Sequence, residues 1–282
     1  MRTGAVRHSF ASSRATSVAL GVAIAVGLGA PAFSETTPWA TNEGGRMRLV
    51  ALPPASDGTI RGALQIEPNP GWMTYWREPG DAGIPPQLSF PEEAAVELKK
   101  MEYPVPKRID SGDLRDIGYD HPVTLPFELK VEDTSKPVKV GVSAFVGLCR
   151  NICIPFQADF ALELADTGPS MEEAMLLASA ETRLPEPASD EFKVIHHALS
   201  DEDLLKLQVR LPAETAEAPQ VIVTGPEGHA FFDSGKGEVT GRDYSLDIPI
   251  DKLPHGYDVK GKTWGVLVIA GDRAMESSLV FN

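Results

Sequence analysis

The chain has 282 residues, 42% of them hydrophobic, enough to fill one large or two small cores. Its formal charge of −14 argues against a nucleic-acid partner and against an anionic membrane surface. The 24 prolines and 25 glycines are scattered without a repeat, as in a mainly β protein of short strands and turns rather than a long-helix or fibrous one.

Residues 1–34 have the pattern of an export signal. Arg2, Arg7 and Arg14 precede an apolar run from Val18 to Leu28, and Ala32-Phe-Ser34 offers a small-x-small cleavage site. The run is short for a membrane span, and the most apolar later stretch, Trp264 to Ala270, is only strand-sized. The mature protein is therefore expected to be exported, with a bacterial periplasm as its compartment, where disulfides persist. The expected layout is signal 1–34, a first domain 35–167, a helix and linker 168–189, and a second domain 190–282.

In the first domain, Arg46 to Leu52 and Thr59 to Ile66 read as strands around a turn-rich Pro53–Gly58. Trp72, Tyr75 and Trp76 form the densest aromatic cluster; core packing suits at least one of the tryptophans. Gln87 to Leu98 contains a further strand, and prolines keep Tyr103 to Arg108 extended. Ile109 to Tyr119 is polar without strong periodicity, and reads as a functional loop. Its neighbourhood holds Asp110, Asp113, Asp116 and Asp120, but the spacing is not that of a calcium loop, so these acids read as a solvated face. Val123 to Val131 resumes alternation.

The two cysteines, Cys149 and Cys153, sit where one alternating stretch (Val138 to Val146) meets another (Phe156 to Leu164). In a continuous strand, residues four apart are separated by roughly 13 Å, whereas a disulfide needs Cα atoms within about 7 Å. The chain must therefore reverse between them if they bond, with Arg150, Asn151 and Ile152 at the tip of a hairpin. Such a bond closes a ring of about five residues, and the chain-entropy model gives so small a ring only ~2 kcal/mol against ~4.7 for a hundred-residue loop. That leaves two readings open: an exchangeable disulfide at an accessible tip, or a small structural staple.

Beyond the cysteines, Ser170 reads as the N-cap of a helix with Glu173 as its capping-box partner, and Leu184 to Ser189 reads as a linker. Short alternating runs at 205–211, 220–224, 244–250, 263–270 and 277–281 then suggest a second β-sandwich. This half has no cysteine, and His196, His197, His229 and His255 are scattered as surface residues would be.

Several stretches in order resemble the N-terminal periplasmic domain of the thiol:disulfide interchange protein DsbD and its ScsB-like relatives. They are Gly71-Trp-Met-Thr-Tyr-Trp76 with Pro79-Gly-Asp-Ala-Gly83, then Gly118-Tyr119 before Val123-Thr-Leu-Pro126, and finally Leu148-Cys-Arg-Asn-Ile-Cys-Ile-Pro155. The resemblance implies an immunoglobulin-like sandwich in which Cys149 and Cys153 are the redox-active, catalytic pair. It also implies a component of a protein-disulfide reductase that takes electrons from a membrane-embedded thiol reductant of DsbD or ScsB type. Periplasmic thioredoxin-like oxidoreductases would receive them, with no cofactor and no metal. The stretch from Ile109 to Tyr119 falls where the family has a cap loop, so Asp116 and Tyr119, with the aromatic Tyr75 and Trp76, are the expected shield. The three-residue cysteine spacing looks more like the ScsB branch.

Two other functions fit the residues. A Cys-x₃-Cys pair can hold copper, but Gln157 stands where a histidine would be expected. Alternatively the chain is a non-enzymatic sandwich that binds other proteins and uses the bond as a staple. For the redox reading, Arg150 beside Cys149 is a candidate to favour the thiolate.

Overall fold

A computed structural model of the chain describes Met1, Gly4 and residues 36–282, apart from 81–82, 92–94, 112–113, 135–137, 165–169, 201–203, 214–217, 226–228, 234–235, 251–252 and 254–256. The expected export signal lies outside the described residues.

Strands dominate. In chain order they are β1 (Ala40–Thr41), β2 (Gly45–Ala51), β3 (Thr59–Pro68), β4 (Met73–Gly80), β5 (Gln87–Ser89), β6 (Val96–Met101), β7 (Lys107–Ser111), β8 (Leu114–Tyr119), β9 (Val123–Val131), β10 (Val138–Cys149) and β11 (Cys153–Leu164). One helix follows, α1 (Met171–Glu181), and then β12 (Glu186–Pro187), β13 (Lys193–Leu199), β14 (Leu204–Arg210), β15 (Gln220–Thr224), β16 (Ala230–Phe232), β17 (Glu238–Thr240), β18 (Asp243–Pro249), β19 (Thr263–Ala270) and β20 (Arg273–Val280). No helix among the described residues is long and apolar enough to cross a membrane.

The strands before the helix form two sheets, ordered β1-β2-β3-β9-β6 and β11-β10-β4-β8-β7, with β5 also paired to β10. Alternation dictates how they pack. Val138, Val140, Val142, Ala144 and Val146 turn one face of β10 inward. Ile60, Leu64 and Ile66 of β3 and Leu125, Phe127 and Leu129 of β9 meet it from the other sheet. This is an immunoglobulin-like sandwich, followed by an additional β domain. The later strands make two further sheets, β12-β20-β19-β15-β16 and β13-β14-β18-β17, around a core that includes Phe192, Tyr244 and Trp264.

The two sandwiches share apolar contact. Ile222, Phe232, Leu267 and Ala274 of the second join the core of the first. Arg108 of β7 and Arg115 of β8 stand over the Phe232 ring at 5.2 and 5.1 Å, a geometry that attracts a guanidinium to the π face. Arg77 of β4 stacks on Trp76 at 4.1 Å and pairs with Glu276 of β20. The sheet edge that carries β7 and β8 is thus braced from the C-terminal half.

Several expectations are corrected. The stretch from Ile109 to Tyr119 is not a loop: most of it is the β7–β8 hairpin, with Lys107 facing Gly118 and Ser111 facing Leu114 in register. Gln87 to Leu98 does contain the expected strand, β5, and also the start of β6, which belongs to the other sheet. The linker 184–189 holds β12, whose Glu186 accepts from Arg273 at 2.8 and 2.7 Å and which pairs in parallel with β20. The capping box is half made. Ser170 Oγ accepts from the Glu173 amide at 3.4 Å, but the Glu173 carboxylate accepts from Thr36 Oγ1 at 2.9 Å instead of reaching back. The helix packs Leu177 onto Val50 and Ala63 on the outer face of the β2–β3 pair.

Candidate functional site: the cysteine hairpin

β10 and β11 pair antiparallel over their whole length, from Val138 opposite Leu164 to Cys149 opposite Cys153. The last pair of the ladder is therefore the cysteine pair, with Arg150, Asn151 and Ile152 as the turn. A facing pair in an antiparallel ladder brings Cβ atoms to disulfide reach. Here the Cα atoms are 4.1 Å apart and the bond is closed.

The two sulfurs are not equivalent. Cys149 is buried, with 6% of its surface exposed, because it lies inside the sheet between β11 and β4, where Met73 is its register partner. Cys153 starts β11, an edge strand, and is exposed. Arg150 and Asn151 are exposed beside it, and Ile152 is 70% exposed.

Beneath the pair lies Tyr75. Its hydroxyl donates to Cys149 Sγ at 2.8 Å and stands 3.2 Å from Cys153 Sγ. The β4 register produces this contact, because Tyr75 lies two residues from Met73 and so on the same face of the sheet. Small residues leave room for the ring. A Cβ on Gly83 would come within 2.4 Å of Tyr75 Cδ1, and one on Gly147 within 3.1 Å of Cδ2. Burial, with the negative charge of Asp116 added, pushes the Tyr75 hydroxyl up to about 12, so it is a protonated donor at any physiological pH.

The other expected shield residues divide between two faces. Asp116 of β8, paired with Gly80 of β4, is on the Tyr75 side and is 7% exposed. It is therefore not part of a solvated acidic face, unlike exposed Asp120, which Lys107 and His121 contact at 2.9 and 3.0 Å. Trp76 and Tyr119 point the other way, into the core. Tyr119 donates to the Pro104 carbonyl at 2.8 Å. Neighbours along a strand face opposite ways, so Tyr75 and Trp76 cannot both line the cysteines. Gly147, a glycine within an apolar strand, is the local sign in the sequence of the close approach of the Tyr75 ring.

Among the described residues, no group of three or more His, Cys, Asp or Glu side chains is placed to hold a metal ion. The arrangement offers a closed disulfide with one accessible sulfur, one covered sulfur and a fixed hydroxyl donor on the covered one. An external thiolate can reach Cys153 in this geometry, and the charge released by S–S cleavage then falls on Cys149.

Residues 47–165 match the family described as thiol:disulfide interchange protein DsbD, N-terminal. The fold is similar to that of the N-terminal periplasmic domain of ScsB from Proteus mirabilis, with a TM-score of 0.71 and 21% identity over 88% of this chain and 98% of that one. No curated protein matches the sequence.

Proposed function

We propose that the chain is a periplasmic thiol–disulfide relay that cycles Cys149 and Cys153 between dithiol and disulfide, a reading supported by the match of residues 47–165 to the DsbD N-terminal family. The observation that carries this is the asymmetric pair at a hairpin tip, with Cys153 open to a partner and Cys149 covered as the resolving thiol. A membrane-embedded thiol reductant supplies two electrons and a thioredoxin-like oxidoreductase takes them. In each exchange a thiolate attacks one sulfur, a mixed disulfide forms, and the second thiol of the attacking pair collapses it. The test is a hand-off in solution. Reduced protein mixed with an oxidised thioredoxin-fold oxidoreductase should become oxidised as its partner becomes reduced, both read by gel shift after alkylation. A pair that stays reduced against every such acceptor removes the proposal.

The β7–β8 hairpin is proposed as the cap over this site. Its Asp116 sits beside Tyr75, and Arg108 and Arg115 anchor it on Phe232. Shortening the hairpin at its turn should speed alkylation of the reduced cysteines several-fold. Equal rates in the shortened and intact proteins would withdraw the cap role while leaving the relay untouched.

A further inference from the structure

Breaking the bond at Cys153 leaves an electron pair on a buried sulfur, and burial alone disfavours a thiolate. Besides its bond to the partner sulfur, that sulfur accepts a hydrogen bond from the Tyr75 hydroxyl at 2.8 Å. We propose that Tyr75 is a third catalytic residue, which hydrogen-bonds Cys149 as the leaving thiolate and so directs attack to Cys153. The proposal rests on the relay function above and deepens it.

A thiolate of a dithiol reductant attacks Cys153 Sγ, forming a new S–S bond while the Cys149–Cys153 bond breaks. The bonding pair leaves on Cys149 Sγ, where the Tyr75 O–H donates to it. The reductant's second thiol then gives up its proton, attacks its own sulfur in the mixed disulfide and expels Cys153 as a thiolate. The reductant ends as a disulfide, and the pair ends reduced by two electrons and, with the protons it takes up, as two thiols.

Tyr75 holds its proton through this step. Burial pushes its hydroxyl up to about 12, well above an ordinary thiol near 8.5, so it offers a hydrogen bond rather than surrendering the proton. A hydrogen bond to a charged group is among the stronger kinds. The same bond serves the reverse direction by keeping Cys149 in the form that resolves a mixed disulfide at Cys153. Asp116, by adding to the pressure against a phenolate, helps keep the donor protonated.

The test compares Tyr75→Phe, which keeps the ring between Gly83 and Gly147, with Tyr103→Phe, which removes a different buried hydroxyl. Two readouts are taken. The first is the rate of reduction of the Cys149–Cys153 bond by dithiothreitol. The second is the pH dependence of thiolate absorbance at Cys149, measured in a Cys153→Ala background with and without Tyr75→Phe. Tyr75→Phe should slow reduction about tenfold and move the Cys149 thiolate transition to higher pH, and Tyr103→Phe should do neither. Unchanged rate and unchanged transition in Tyr75→Phe overturn the role, as does an equal effect from Tyr103→Phe. A parent bond that resists dithiothreitol overturns the relay instead, because the Cys149 transition is measured without it.

Discussion

Replacing Cys149 by alanine should turn the protein into a trap. Cys153 remains exposed on its edge strand, so it can still form a mixed disulfide with a partner. With Cys149 absent, no internal thiol stands opposite it in the ladder to collapse that bond. The Cys149→Ala variant should therefore accumulate covalent, reductant-sensitive adducts in periplasmic extract, with thioredoxin-like proteins or a membrane reductant as the captured species. The converse variant, Cys153→Ala, keeps only the covered sulfur, 6% exposed and bonded to the Tyr75 hydroxyl, and should collect far fewer. The contrast is close to all-or-none, because it depends on which sulfur a macromolecule can touch. Non-reducing gels of the two variants, with folding checked by circular dichroism, read it directly. If neither traps a partner while both fold as the parent does, the relay fails and a structural staple becomes the better account.

The asymmetry behind that prediction was half legible in the sequence. The hairpin was, because period-two alternation runs into both cysteines and three residues separate them, which leaves the chain little choice but to reverse. Which cysteine is covered was not, because it depends on β4 pairing beside β10, a contact between residues more than seventy positions apart. The aromatic cluster shows the same limit. Composition drew attention to Tyr75 and Trp76 together, but the pleat sends one to the sulfurs and the other to the core.

The β7–β8 hairpin was hidden for a different reason. On β8, Ile117 and Tyr119 enter the core while Asp116 and Gly118 are buried on the opposite side. A strand covered on both faces shows no alternation, and its polar letters then look like a loop. β13 was missed because a register shift between Val194 and His196 breaks its period. The joining of the two sandwiches through Phe232, Arg77 and Glu276 is tertiary, and no local pattern announces it. Strand spacing alone suggests a second β-sandwich in the second half, and says nothing of whether it docks on the first. In the structure its residues brace the sheet that carries the candidate site.

If the chain is the proposed relay, the bond between Cys149 and Cys153 is made to be exchanged. A relay must sit within reach of both its donor and its acceptor, and each ~30 mV between two couples shifts their equilibrium about tenfold. A bond far more reducing than its donor could never be opened by it. The direct measurement is the reduction potential of the pair, obtained by equilibrating the protein with glutathione or thioredoxin couples and quantifying the alkylated dithiol. The pair should lie between about −120 and −300 mV, from the most oxidising working thiol–disulfide couple to the edge of the structural range. A potential well below about −300 mV, where structural disulfides lie, would contradict the relay.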